Sequence, residues 1–453
     1  MTSVQPSAME RPPDASGRRN LAQANAPASR RAAAGSAALC RLNYDPALSP
    51  MQVYEAHRAW AGLHAQPLYP RDPVFANDPN QARPLRVGYV SPDLRRHPVA
   101  FFVEPILRTH DRQQVTAVCY DTAPGTQGGI DGGDDMNQHL RSLAAEWRDV
   151  AGLDDAALAE AIRADRIDIL VDLAGHTAGN RLLTFARRPA PVQVTAIGYV
   201  TTTGLETMDY RLTDPWCDPG GAERAYSERL VRLEHGFNCY APPQGLPEPG
   251  PLPCQASGTV TFGSFNNLDK ISPEVLDLWG KILARVAGSR LLLKTKTLSQ
   301  DRVRRAILQC LAGHNIAPER VELVEWSETL RQHFEGYRRL DIALDPFPYN
   351  GTTTTCEALM MGVPVIALAG DRHAARVSAS ILSRLELPVL IATDPDDYVA
   401  RAIALAAHEN ALSSLRATLR RRMITSPLCD AAGYTRTLEA AYRAMWRDWC
   451  AAD

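Results

Sequence analysis

From residue 86 onward, short and nearly continuous apolar runs alternate with stretches of helical period. Runs at 86–90, 115–120, 168–173, 193–199, 210–213 and 230–233 read as strands, and DDAALAEAIRA at 154–164 as one of the helices between them. Runs without polar alternation suit strands buried on both faces, so the pattern predicts a parallel sheet covered by helices. Residues 241–257 interrupt it with six prolines in seventeen positions and no helical period, which reads as an interdomain connection. The alternation then resumes with strand candidates at 259–265, 290–294, 321–324, 341–344, 365–368 and 389–391. A closing helix is predicted over 433–449, long enough to pack back across the molecule. Ahead of the first strand, a helix is predicted over 49–65, with Ser49 as N-cap, Pro50 at the first helical position, and Tyr54, His57 and Ala61 along one face.

The predicted organisation is α/β: two doubly wound, Rossmann-like domains that face each other with their strand C-termini lining a cleft. The first covers 41–240 with its leading helix, the connection 241–257, the second domain 258–430, and the closing helix 431–453, packed on the first domain. Residues 1–40, rich in Ala, Ser, Pro and Arg and poor in large apolar residues, read as disordered and lack the apolar core of a secretory signal. There is no repeat of TPR length.

Composition narrows the class. A chain of 453 residues suits two domains that each bury a sizeable core, and a net charge of −2 gives no electrostatic case for nucleic acid or an anionic membrane. No apolar run approaches a membrane span. Nine cysteines stand singly, without a C-x-x-C pair, which argues against a zinc ribbon and a disulfide framework. They read as reduced thiols in a cytoplasm.

Candidate chemistry clusters where strands end. In DIALDPFPYNGTTTTCEALMMGVPVIAL (341–368) a strand breaks at Pro346 and Pro348, then Gly351 and four threonines lead into an apolar helix. Unpaired N–H groups and hydroxyls at a helix N-terminus make a seat for phosphate. Glu357, near the first turn, suits ribose hydroxyls. In GYVSPDLRRHPVAFF, His97 follows the first strand and precedes a helix opening at Pro98, a place for acid–base work. His176 stands in VDLAGHTAGNR, in another loop at a strand end. In TFGSFNNLDKISPEVLDLW, Lys270 stands ahead of the N-cap pair Ser272-Pro273, where it can reach an anion held between the lobes.

These segments, with GHTAGN, ARRPAPVQVTAIGY, TTGLETMDYRLTD and the C-terminal SPLCD and AYRAMW, resemble the catalytic region of the protein O-GlcNAc transferase family over about residues 43–449, most closely its SPINDLY-type protein O-fucosyltransferases. The resemblance implies a GT-B fold and an inverting, metal-independent transfer from a nucleotide sugar, UDP-GlcNAc or GDP-fucose, to Ser or Thr hydroxyls of a protein or peptide. It implies no cofactor and no metal site, and the lone D-x-D, Asp394-Pro395-Asp396, reads as a helix cap. Carried over by motif, Lys270 is the diphosphate-contacting lysine and Asn267 its polar neighbour. Gly351, Thr352, Thr353 and Thr354 form the phosphate loop, Glu357 meets the ribose and His333 packs on the base. His97 is a base or orients the acceptor; His176 occupies the GHT position.

The chain departs from the family where G-Y-P-x-T-[ST]-G becomes Gly198-Tyr199-Val200-Thr201-Thr202-Thr203-Gly204, and Val for Pro is expected to loosen that turn. Thr352, in place of a His common in O-GlcNAc transferases, and Lys294 and Lys296 follow the SPINDLY-like pattern and point to GDP-fucose; bacterial members blur that distinction. The alternatives are a small-molecule GT-B glycosyltransferase, a nucleotide-sugar epimerase, or a non-catalytic nucleotide-sugar-binding subunit.

Overall fold

The computed structural model describes residues 28–123, 135–325 and 327–452. Within them the first lobe builds a seven-stranded sheet from β1 (Leu85–Ser91), β2 (Val115–Asp121), β3 (Glu146–Asp149), β4 (Ile169–Asp172), β5 (Val192–Thr195), β6 (Tyr210–Thr213) and β7 (Arg229–Arg232). Their order is β3-β2-β1-β4-β5-β6-β7, and each pairing is parallel. The second lobe has β8 (Thr261–Ser264), β9 (Arg290–Lys294), β10 (Val321–Val324), β11 (Ile342–Leu344), β12 (Val365–Leu368) and β13 (Ile391–Ala392), in the order β10-β9-β8-β11-β12-β13, again parallel. Both sheets are therefore doubly wound. Strand order reverses between β1 and β4 in one and between β8 and β11 in the other, and ligands of such sheets bind in the crevice at that reversal.

Differences from the sequence pattern have local causes. Strand β3 was not among the predicted strands. Its residues Glu146, Trp147, Arg148 and Asp149 carry no apolar run, as befits a charged sheet edge, and Glu146 pairs with Arg86 at 2.8 Å. Strand β5 stops at Thr195, short of the predicted 199, because the chain turns onto the neighbouring loop. A Cβ on Gly198 would lie 1.8 Å from the Leu173 carbonyl oxygen, so only glycine permits that approach. The last strand begins at Ile391, behind a short 3₁₀ turn over Pro388–Leu390.

Residues 1–40 are not disordered throughout. Residues 1–27 lie outside the described residues, but Ala28–Leu42 forms a helix packed on the helix Pro50–His64. Its buried residues Ala32, Ser36 and Leu39 recur at helical spacing, and Gly35 lies under Trp60, where a Cβ would come within 2.7 Å of the indole. Such a small-residue face buries little area per residue, which is why it reads as low in hydrophobicity. The second helix starts with a capping box between Ser49 and Gln52 and with Pro50 at its first position.

The proline-rich connection is pinned, with one short helix, Pro253–Ser257. Arg416 donates to the carbonyls of Pro249 and Gly250 at 3.0 and 3.3 Å, and Arg338 to that of Glu248 at 2.8 Å. The final helix, Ala431–Ala452, lays Tyr434, Leu438, Tyr442, Met445 and Trp446 into the same apolar cluster as Val87, Tyr89 and Val171 of the first sheet.

Candidate active site

The phosphate-ready loop and Lys270 flank the reversal of the second sheet, one after β11 and the other after β8. Lys270 closes a short 3₁₀ turn, Leu268–Lys270, just before Ser272 caps the helix Pro273–Arg285. Its ammonium lies 2.6 Å from the Asn350 carbonyl oxygen and 4.1 Å from the centre of the Tyr349 ring. Burial pulls it down to about 8, against the opposing charge of Asp345. An ammonium has three donors, and one carbonyl leaves the others for an anion. Asp345 ends the β11 run, accepts the Gly351 N–H at 2.8 Å, and has its other oxygen buried without a hydrogen-bond partner. Burial raises this carboxyl above its ordinary range. The sequence reading missed it, although an acid at a strand's C-terminal end, just before the proline break, was a usable signal.

The helix Thr353–Met360 starts at Thr352, with no side-chain cap. Its first N–H groups are therefore open to a ligand. The hydroxyls of Thr352 and Thr353 are half-buried and make no hydrogen bond among the described residues, whereas Thr354 donates to Asn266 Oδ1 at 2.9 Å. Asn266, not Asn267, is thus the polar residue that meets the loop. Asn267 is exposed and its side chain turns back to accept from the Asp269 N–H of its own turn at 3.4 Å. Gly351 is needed for space: a Cβ there would lie 2.5 and 2.7 Å from the Thr354 and Thr355 hydroxyls.

His333 and Glu357 meet each other. His333 Nε2 is 2.9 Å from Glu357 Oε2, which also accepts the Tyr337 hydroxyl at 3.1 Å. Both side chains are buried, His333 on the helix Leu330–Gly336 and Glu357 in the first turns of Thr353–Met360.

On the first lobe, the loops after β1 and β4 carry the two remaining histidines to the sheet reversal, with different fates. His97 is half-exposed, at 37% for the side chain, with Nδ1 3.6 Å from Asp93 Oδ2. That distance is too long for a hydrogen bond but close enough for charge. Burial lowers its pKa, Asp93 opposes and Arg95 assists. No hydrogen bond or ion pair joins it to the second-lobe residues among the described residues. His176 does not open to the cleft. It is fully buried, with Nε2 donating to the Thr203 carbonyl at 2.9 Å and Nδ1 beside the Ser36 hydroxyl at 2.9 Å, so both nitrogens are committed. Burial drives its pKa well below the usual histidine value. The catalytic reading of His176 is corrected to a structural one: it fastens the helix Ala28–Leu42 to the threonine turn.

That turn is not loosened by Val200. Glu228 accepts from the Thr202 hydroxyl at 2.7 Å and the Thr203 N–H at 2.6 Å, and Arg211 donates to the Tyr199 and Thr201 carbonyls at 2.8 Å each. A buried carboxylate and guanidinium do what the proline ring would do. Asp394 caps the helix Pro395–Ala406 by accepting the Asp397 N–H at 2.8 Å, so the D-x-D is a cap.

Comparisons with known proteins follow the same lines. The chain is 44% identical over 423 residues to a Solanum lycopersicum protein described as a probable UDP-N-acetylglucosamine–peptide N-acetylglucosaminyltransferase SPINDLY, covering 93% of this chain and 45% of the relative. It spans about half the length of the curated relatives it matches. A solved O-GlcNAc transferase mutant from Thermobaculum terrenum superposes with a TM-score of 0.87 and 40% identity, over 93% of this chain and 78% of the other. An Anabaena HepE protein in complex with UDP and glucose matches at 10% identity and a TM-score of 0.50, over 80% of this chain and 100% of the other, a likeness of fold alone. The fold is GT-B. The model of glycosyl transferase family 41 runs through both lobes, over residues 63–241 and 252–438, and the chain belongs to that family.

Proposed function

We propose that this chain is the catalytic region of a glycosyltransferase that moves a sugar from a nucleotide sugar, UDP-GlcNAc or GDP-fucose, to Ser or Thr hydroxyls of a protein or peptide, with inversion and without a metal ion or other cofactor. The observation that carries this reading is the convergence of a half-committed ammonium, Lys270, with an uncapped helix N-terminus at Thr352–Thr353. Charge grows on the leaving diphosphate as the anomeric bond breaks, and preorganised donors aimed there stabilise the transition state more than the ground state. His333 and Glu357 take the nucleoside. His97, on the opposite lobe, takes the hydroxyl proton or orients the acceptor, which attacks from the side away from the diphosphate and so inverts the anomeric centre. The relatives' names support peptide as the acceptor class and UDP-GlcNAc as one donor. Among the described residues no helix is long and apolar enough to cross a membrane, and nine free thiols support a cytoplasmic setting.

The test is a thermal-shift titration of UDP, GDP and their sugars with EDTA present. A nucleotide at a hundred times its Kd adds about 2.7 kcal/mol of stability. Stabilisation by at least one nucleoside diphosphate in EDTA is expected; stabilisation that appears only with magnesium overturns the metal-independent part.

A further inference from the structure

Lys294 ends β9 and is 2% exposed. Its Nζ lies 3.1 Å from Nδ1 of His333. An ammonium has no lone pair to offer, so it donates and Nδ1 accepts. The neutral imidazole then carries its proton on Nε2, the atom 2.9 Å from Glu357 Oε2. A relay results: buried cation, neutral ring, carboxylate. The Phe265 ring lies 5.1 Å from the ammonium, and Gly336 leaves room beside both, since a Cβ there would stand 3.2 Å from Phe265 and 3.8 Å from Nζ. A cavity of about 290 Å³ opens alongside, lined by Phe265, Lys294, Gln332 and Glu335 among others. Burial lowers the ammonium to about 8 while Glu357 opposes.

Were the ring proton to move to Nδ1, it would face the lysine's own N–H groups. Nε2 would then turn a lone pair towards the Glu357 carboxylate, and the bond that aims both groups would be lost. We propose that Lys294 is a positioning residue for nucleoside recognition, holding His333 in its Nε2–H tautomer so that His333 and Glu357 present a fixed ring and carboxylate to the base and ribose of the donor. This rests on the nucleotide-sugar reading above. Two lysines of the second lobe then divide the donor between them, with Lys270 serving the diphosphate and Lys294 the nucleoside.

The experiment is calorimetric titration at pH 7 of UDP, GDP and inorganic pyrophosphate into wild type, Lys294→Met, Lys294→Gln, Lys294→Arg and the double variant Lys294→Met/His333→Ala. Methionine keeps the apolar stem against Phe265. Lys294→Met is expected to weaken the preferred nucleoside diphosphate about tenfold while leaving pyrophosphate within about twofold. Arginine should recover most of the loss, glutamine, with its neutral donor, part of it, and the glutamine and arginine variants still decide the matter if the methionine variant does not fold. In the His333→Ala background, Lys294→Met should cost nothing further. Parallel loss of pyrophosphate, or costs that add in the double variant, overturns the inference. A wild-type protein that binds no nucleoside diphosphate overturns the nucleotide-sugar reading and this inference with it.

Discussion

Lys270 donates to the Asn350 carbonyl and lies over the Tyr349 ring face, which leaves two of its three donors for the diphosphate of the proposed donor. Two outcomes follow. Lys270→Met should lower kcat by about a hundred- to a thousandfold, roughly 3–4 kcal/mol, and by more than it raises the donor Kd, read from single-turnover transfer beside nucleotide titration. Arginine should rescue poorly, because its planar fork is longer and aimed differently. Binding also depends on pH. Burial brings the ammonium down to about 8, and a bound diphosphate should raise it; binding is then expected to be complete below 8 and to weaken as pH rises through it. Lys270→Met should flatten that limb. For His97 the expectation is a kcat loss of about a hundredfold in His97→Ala with donor affinity unchanged, measured by the same pair of assays. How far the sequence revealed such residues depended on what each one touches. Lys270 and the threonine loop were legible because their neighbours in sequence, a cap pair and a strand break, are also their neighbours in space. His176 and Asn267 misled because spacing cannot say which way a side chain turns. Asn266 and Lys294 act through partners 88 and 39 positions away, and no local pattern marks those contacts.

At the scale of elements, an apolar run identifies a strand most readily where both faces are covered. Central strands such as β4, buried at each of its four positions, were therefore readable, and the charged edge β3 was not. The helix Ala28–Leu42 shows the complementary failure. Apart from Leu39 its buried face is made of alanine, serine and glycine, so its stability comes largely from fit and from polar staples: Trp60 Nε1 donates to the Ala32 carbonyl at 3.0 Å, and Ser36 meets His176. His176→Ala should expose this dependence. It leaves the Thr203 carbonyl without its buried donor and opens a cavity among Ser36, Trp60 and Tyr199, so a loss of about 2–4 kcal/mol is expected in urea unfolding. Nucleotide binding, proposed for the other lobe, should be retained by the folded fraction. Equal stability of mutant and wild type would make His176 a candidate catalytic group again.

For the whole molecule the question is whether the lobes move as separate bodies. The segments after β6 and β7 dock on the helix Val377–Arg384 and the turn before it. Ser380 donates to Asp214 at 2.6 Å, Arg376 to the Trp216 carbonyl at 2.7 Å, and Arg384 to Asn238 at 2.7 and 2.8 Å. Phe102, Cys217, Phe237 and Tyr240 from the first lobe belong to the same apolar cluster as the core of the second. A core continuous across the lobes favours one cooperative unit over two independent ones. Beside Phe237 of that cluster, His373 Nδ1 lies 2.7 Å from Asp218 Oδ2, both fully buried. Burial alone would push the Asp218 carboxyl up, but His373, Arg211 and the Thr213 hydroxyl overcome it and hold it below the usual carboxylate range. A carboxyl depressed in the folded state contributes stability that is full above its unfolded value near 4 and drains away as pH falls below it. Melting followed calorimetrically should therefore show one transition, dropping steeply between about pH 4 and lower values. Asp218→Asn removes the charge and leaves His373 buried beside a neutral amide, at a cost of about 3–5 kcal/mol at neutral pH. Its transition should be lower, still single, and less sensitive to acid. Two separated transitions in the wild type would mean that the lobes are held by the connection alone and that the buried pair does not join them.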